Sequence, residues 1–199
     1  MKKITIALMC MIMATGAAMA QKQFTFGPKI GVDYTHFWDA DGDYSGVLNY
    51  QAGLFMEYRF TDRFSVAPEF VFAAQGGKFK WIDYGNNEIS STYHMNYINI
   101  PVMLKFYVIP QLSIDFGPQL GVNVYHKATD KWKLLGQEYK ETSELNGVKS
   151  IDFGVGLGLT YNIAKDVFVQ GRYTMGVTKA FENGSEKNGN AQIAIGYRF

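Results

Sequence analysis

Eleven charged residues recur on the polar side of apolar-patterned segments and are the main candidates for chemistry in this chain. They are six basic and five acidic residues: Lys29, Arg59, Arg63, Lys105, Arg172, Arg198, Asp33, Glu57, Glu69, Asp115 and Asp152. If this polar side is enclosed, its charges must pair, because isolated buried ions are very costly. We assign all of them except Arg63 to a salt-bridged structural network; a proton or ion path is the alternative.

The histidines raise the question of catalysis. Each of the three falls near the end of a patterned segment: His36, His94 and His126. Ser90, Ser91 and Glu88 lie close to His94 in sequence, and a histidine beside a serine can activate it as a nucleophile. No spacing fixes a triad, and proximity in sequence is weak support for catalysis. We therefore predict no catalytic residue and keep an enzyme that uses these groups as an alternative.

One acidic segment is similar to the start of a calcium-binding loop. Asp39, Asp41 and Asp43 place carboxylates at alternate positions, as such loops do. Tyr44 stands where that loop needs glycine, and Tyr50 where it needs a bidentate glutamate. These mismatches favour a solvated loop, with weak binding of a divalent cation as the alternative. No metal or cofactor is predicted.

The side chains named above lie on or next to segments in which apolar and polar residues alternate. Eight are found, at 24–36, 47–60, 63–75, 93–107, 111–125, 149–162, 167–178 and 190–199. Apolar residues at every second position indicate strands with one apolar face. Each segment is long enough to cross a bilayer at a tilt, and the last ends on an aromatic residue. We predict an all-β, eight-stranded antiparallel transmembrane barrel in which the first and last strands pair.

The links between these segments are asymmetric. Residues 61–62, 109–110 and 164–166 form short turns, whereas 37–46, 76–92, 126–148 and 179–189 are long and polar. Short periplasmic turns and long extracellular loops are typical of outer-membrane barrels. The 126–148 loop could extend as a hairpin whose edge pairs with another protein. Pro28, Pro68 and Pro118 predict bulges or broken pairing within strands.

The N-terminal 20 residues have the pattern of a cleaved signal peptide. Lys2 and Lys3 precede an apolar run, and Ala18-Met19-Ala20 supplies small residues at the exit. The predicted organisation is a signal peptide at 1–20 and one barrel domain at 21–199. Cys10 is the sole cysteine and would leave with the signal, so no disulfide or thiol site is expected. The net charge of +1 gives no basic excess for nucleic acid.

Three segments carry a resemblance to a known family. They are Phe26-Gly-Pro-Lys-Ile-Gly-Val32, Tyr97-Ile-Asn-Ile-Pro-Val-Met-Leu-Lys-Phe-Tyr107 and Gly196-Tyr-Arg-Phe199. Together with the signal peptide they resemble the PorT-like family of small outer-membrane β-barrel proteins. The resemblance implies an eight-stranded barrel. It also offers, through the family's namesake, a link to protein secretion across the outer membrane.

The predicted function is non-enzymatic. We expect an outer-membrane protein with a plugged lumen, acting in a structural or surface-interaction role through its extracellular loops. The expected partners are outer-membrane lipid and lipopolysaccharide, and an envelope protein reached through the loops. The alternatives are an accessory component of outer-membrane protein secretion, a rim enzyme acting on lipid A through the histidines, and a soluble lipocalin-like barrel with the two faces inverted.

Overall fold

A computed structural model describes residues 23–39, 44–82, 88–134, 137–182 and 184–199. The predicted signal peptide, Asp41 and Asp43 lie outside these ranges. The described strands are β1 (Phe24–Trp38), β2 (Tyr44–Ser45), β3 (Val47–Arg59), β4 (Phe64–Ile82), β5 (Glu88–Ile109), β6 (Leu112–Leu134), β7 (Gln137–Glu144), β8 (Ile151–Asn162), β9 (Val167–Gly176) and β10 (Lys187–Tyr197). Within these ranges, no helix is long and apolar enough to cross a membrane.

Eight of the strands form a closed antiparallel ring. Its order is β1, β3, β4, β5, β6, β8, β9 and β10, and β10 pairs with β1. In that closing pair, Lys29 lies opposite Gly196 and Trp38 opposite Lys187. The predicted pairing of the first and last strands is therefore confirmed. A closed ring satisfies the backbone groups of every wall strand, as a lipid environment requires.

The two faces of the ring differ in polarity. On β1, Lys29 is 2% exposed whereas its neighbour Ile30 is 61% exposed. The same alternation exposes Leu104 and Leu157 on the outer wall and buries Asp115 inside. An outer wall covered with large apolar side chains suits lipid, since soluble proteins rarely expose such a continuous apolar surface. This arrangement contradicts the soluble alternative, which needs an apolar interior and a polar exterior.

Three strands run far beyond the wall. β4, β5 and β6 have 19, 22 and 23 residues, and β7 pairs back on β6. The long loop predicted at 76–92 was therefore largely wrong, whereas the hairpin predicted within 126–148 is confirmed. The sequence signal fades here because polar residues occupy both faces, although the backbone pairing continues. We call β2, β7 and residues 76–82, 88–96 and 125–134 the projecting sheet.

The prolines interrupt the pairing locally. The β3–β4 ladder is paired up to Phe55–Glu69 and resumes at Tyr58–Val66, so Pro68 lies in the gap. Similarly, Pro118 lies in a gap of the β5–β6 ladder. Pro28 remains in register with Leu54 of β3. Broken pairing is thus confirmed at Pro68 and Pro118, in keeping with the missing amide hydrogen of proline.

Candidate functional site: the lumen and the projecting sheet

The middle of the lumen is organised around one carboxylate. Glu69 accepts a hydrogen bond from Lys29 Nζ at 2.6 Å. It also accepts two from Arg172, Nη1 to Oε2 at 3.0 Å and Nη2 to Oε1 at 2.6 Å. β4, β1 and β9 bring these side chains inward, and all three are buried. A two-pronged arginine contact fixes geometry as well as charge, so this cluster ties three separate strands together.

A neighbouring cluster surrounds Asp115. Its carboxylate accepts hydrogen bonds from Ser113 Oγ at 2.6 Å, from Thr160 Oγ1 and from Gln170 Nε2 at 3.2 Å. Gln170 Oε1 in turn accepts from Lys29 Nζ at 3.1 Å. Gln170 therefore connects the Asp115 cluster to the Glu69 cluster, and neutral donors supply most of the contacts to this buried charge.

The end of the lumen nearest the short turns is dominated by basic groups. Glu57 lies 3.5 Å from Lys105 Nζ and 3.8 Å from Nη2 of both Arg59 and Arg198. It also accepts hydrogen bonds from the Tyr107 hydroxyl and from Ser65 Oγ. One carboxylate is thus shared by three cations. Charge-assisted hydrogen bonds of this kind are stronger than those between neutral groups.

The opposite end of the lumen carries the remaining two acids. Asp33 accepts from Gln51 Nε2 at 2.7 Å, and Asp152 accepts from Thr178 Oγ1 at 2.9 Å. Both carboxylates are buried and are held by neutral donors. The net charge of the inward side chains therefore changes along the barrel axis. It is positive near the short turns and negative near the projecting sheet.

The structure brings together the residues assigned to the network from the sequence. Eight of them are buried: Lys29, Asp33, Glu57, Glu69, Lys105, Asp115, Asp152 and Arg172. Arg59 and Arg198 are half-buried at the end with the short turns. Arg63 is exposed in the turn after β3, so its placement on the polar inner face was wrong. Alternation alone does not show where a strand ends, which is why Arg63 was misplaced.

A small cavity lies among these side chains. Lined by Gln51, Asn99, Arg172 and Asn190 among others, it has room for about one water molecule. Arg172 Nε and Asn190 Oδ1 are buried there without a protein partner. A water molecule needs two to four polar partners, and this lining supplies them.

An aromatic cluster lies above the lumen, between the barrel and the projecting sheet. Its buried members are Phe37, Met95, Tyr97 and Ala180, packed against Tyr44, Tyr93, Leu145, Val148 and Phe181. The Tyr44 hydroxyl donates to Glu186 Oε1 at 3.1 Å. Burial, followed by the charge of Glu186, raises the pKa of Tyr44. Sequence analysis missed this cluster, and aromatic residues within polar loops were the one signal that could have indicated it.

The rim histidines do not assemble with the serines. Ser90 and His94 are four residues apart on the continuous strand β5, which separates them by ~13 Å. His36 contacts the Tyr173 hydroxyl at 3.3 Å, and His126 Nδ1 lies 2.8 Å from Asn123 Oδ1. The three histidines therefore have separate surroundings, and Ser90 is beyond hydrogen-bond reach of His94.

The acidic loop is described only at its first residue. Asp39 has a positive φ of 56° and accepts a hydrogen bond from Lys187 Nζ at 2.7 Å. Asp41 and Asp43 lie outside the described residues, so the calcium-like alternative stays a prediction. Across the described part of the chain, no group of three or more His, Cys, Asp or Glu is placed to hold a metal ion.

Strand register does not separate the charges of the projecting sheet by sign, because Lys127 lies opposite Glu144 on the same face as Lys131 and Lys140. Lys80, Ser90, Lys131 and Lys140 form one row across β4, β5, β6 and β7. On the other face, Asp130 lies opposite Glu141, beside the stacked rings of Trp132 and Tyr139. β7 is exposed along its whole length, and among the described strands it pairs with β6 alone.

Comparison with known proteins agrees with this architecture. The sequence pattern of the outer membrane protein beta-barrel domain matches residues 19–182. No curated protein sequence matches the chain. Among solved structures, Ail, the attachment invasion locus protein of Yersinia pestis, is similar with a TM-score of 0.50 and 17% identity, over 89% of this chain and 99% of that chain.

Neisserial surface protein A is another similar structure, with a TM-score of 0.45 and 14% identity over 87% of this chain and 97% of that chain. At such identities the similarity of Ail concerns the fold alone. The family match covers most of the sequence and coincides with the closed ring described above. The chain therefore belongs to the outer membrane protein beta-barrel domain family.

Proposed function

We propose that this protein is a non-enzymatic outer-membrane barrel that acts at the cell surface through its projecting sheet, with a lumen closed to solutes. The observation that supports the proposal is the set of paired charges inside the ring, together with the continuation of β4, β5 and β6 beyond it. An eight-stranded barrel has an interior only just wide enough for side chains. Binding surface is therefore provided by the strands outside the membrane.

Conductance in planar bilayers tests the closed lumen. We expect the purified barrel to give no large stable conductance, because Glu69 and its two cations lie across the middle of the lumen. A trimeric porin inserted under the same conditions serves as the positive control. Steady porin-sized steps from a verified monomer would contradict the closed lumen and favour solute transport.

Surface labelling tests the orientation. The predicted mature chain starts at Gln21 and contains no cysteine, so one introduced thiol is unique. We expect Ser143→Cys on β7 to react with a membrane-impermeant maleimide in intact cells, and Lys165→Cys in a short turn to react only after lysis. The reverse pattern would place the projecting sheet in the periplasm and refute the surface role. Intact mass of the purified protein checks the cleavage site.

The exposed edge of β7 favours a second candidate, an accessory role in outer-membrane protein secretion. An unpaired strand edge can accept a strand from another protein. This role also follows from the narrower PorT-like resemblance, which remains a proposal. We expect a specific envelope protein to crosslink to a photoreactive residue at position 142 and not at 165. Equal crosslinking at both positions would count against it.

Catalysis at the rim is tested through lipid A. Because the histidines have separate surroundings, replacing each in turn with alanine should leave the lipid A of expressing cells unchanged. A change in acyl chain number that depends on both the wild-type protein and one histidine would establish the enzyme instead.

A further inference from the structure

The end of the lumen nearest the short turns carries more positive than negative charge. Three cations surround the Glu57 carboxylate at 3.5–3.8 Å, namely Lys105, Arg59 and Arg198. Lys105 Nζ is also 3.9 Å from Asp115 Oδ2, so its charge is shared with the Asp115 cluster. Three cations therefore have one whole carboxylate and part of a second. We call Arg59, Lys105 and Arg198 the basic end of the lumen.

The Glu57 carboxylate does not satisfy the two arginines. Its Oε1 already accepts hydrogen bonds from the Tyr107 hydroxyl and from Ser65 Oγ, which fill the two acceptor sites of that oxygen. The Nη2 atoms of Arg59 and Arg198 stand 3.8 Å from the carboxylate, beyond hydrogen-bond length. Arg198 Nη2 is buried without a hydrogen-bond partner, and the Arg198 side chain is only 10% exposed. A buried donor of this kind costs free energy until an acceptor reaches it.

Aromatic rings hold both guanidinium groups in place. The guanidinium carbon of Arg59 lies 3.9 Å from the centre of the Tyr107 ring, and that of Arg198 lies 4.6 Å from the centre of the Phe168 ring. Arg198 Nη1 also donates to Asn162 Oδ1 at 2.6 Å. A ring face attracts the cation without using its hydrogen-bond donors. The two arginines are therefore positioned in advance, with N–H groups left over for another acceptor.

Within the described residues, the other acids of this end do not neutralise the arginines. Asp62 and Asp166 lie in the short turns, and neither forms an ion pair with Arg59 or Arg198. The Arg59 side chain is 33% exposed, whereas that of Lys105 is 4% exposed. The basic end therefore opens toward the short turns, and small ions reach the arginines from that side.

We propose that the basic end of the lumen is a binding site for a small oxyanion, a phosphate or a carboxylate, bound by Arg59 and Arg198. Both kinds of anion present several acceptor oxygens to the planar guanidinium group, which suits two-pronged contacts. The anion supplies the missing counter-charge and accepts a hydrogen bond from Arg198 Nη2. Because short turns of outer-membrane barrels face the periplasm, the ligand comes from that compartment. The site does not depend on the surface role proposed above.

A titration of inorganic phosphate against the purified mature barrel in zwitterionic detergent tests the site. Arginine side-chain NMR signals report binding, and potassium chloride keeps the ionic strength constant so that screening does not change. We expect the signals of Arg59 and Arg198 to shift and to saturate. R59Q should weaken binding about tenfold or more, as the loss of one charge-assisted hydrogen bond implies. R63Q removes the same charge from the exposed turn at this end and should change the affinity less than about twofold.

R198Q should weaken binding as R59Q does, and heat-modifiable gel mobility shows which variants are folded. If R198Q does not fold because its contact with Asn162 is lost, R59Q and R63Q still decide the question. Acetate in place of phosphate distinguishes the two kinds of oxyanion, and saturation by either one supports the site. Equal shifts with chloride, a linear response without saturation, or equal losses in R59Q and R63Q would overturn the inference. The labelling of Ser143→Cys tests the surface role separately.

Discussion

In the lumen, Glu69 accepts hydrogen bonds of 3.0 Å or less from two cations, whereas in the projecting sheet Lys131 lies opposite Lys140. Both regions are rich in charge, but Glu69 lies between opposite charges, whereas Lys131 and Lys140 are like charges directly across from each other. Pairing with opposite charges fixes side chains. Opposed like charges repel, and a partner can relieve that repulsion. The difference supports the proposal that the lumen stabilises the barrel and that the sheet provides the binding surface.

The largest expected effect comes from breaking the lumen cluster. Glu69→Gln leaves Lys29 and Arg172 buried without their shared counter-charge, and removing one partner of a buried ion pair costs about 3–5 kcal/mol. Urea unfolding of the barrel in lipid vesicles measures the loss. Glu138→Gln on exposed β7 is the matched control and should change stability by less than ~0.5 kcal/mol. Equal effects in the two variants would erase the distinction between lumen and sheet.

A second prediction places the same charge type on opposite sides of the wall. Arg172 points inward to Glu69 and lies opposite Gly158 in the β8–β9 pairing. Leu157, the residue before Gly158, is 58% exposed on the outer wall. Leu157→Arg should destabilise the barrel by about 2–4 kcal/mol if the site lies near the bilayer midplane. Slower insertion and lost heat-modifiable mobility are the readouts, with Leu157→Phe as control. Unimpaired insertion of the arginine variant would contradict the membrane-facing wall.

The third prediction concerns a neutral donor. Ser113→Ala removes the hydroxyl that donates to buried Asp115 at 2.6 Å, and a hydrogen bond to a charged group contributes about 1.5–3 kcal/mol. The same unfolding assay measures it, with Ser143→Ala on the exposed strand as control. If Ser113→Ala lowers the free energy of unfolding by no more than the control does, Thr160 and Gln170 satisfy the carboxylate without Ser113.

These regions were not equally predictable from sequence. Period-two alternation identified the wall strands, their faces and the closing pair, because a lipid-facing wall forces apolar residues onto every second position. It could not show that Glu69 meets Lys29 and Arg172, since that depends on the stagger of strands distant in sequence. It also missed the upper part of β4 and the aromatic cluster around Phe37, because polar residues flank both and no periodic apolar pattern marks them.

The smallest expected effect sharpens the account of the projecting sheet. Lys140→Glu places an opposite charge across from Lys131, and a favourable cross-strand pair contributes roughly 0.2–1 kcal/mol. In detergent free of lipopolysaccharide, amides of β6 and β7 should therefore exchange hydrogen more slowly than in wild type. Lys140→Gln, which only removes the repulsion, should give an intermediate rate. Faster exchange in the glutamate variant would show that Lys131 and Lys140 do not repel each other.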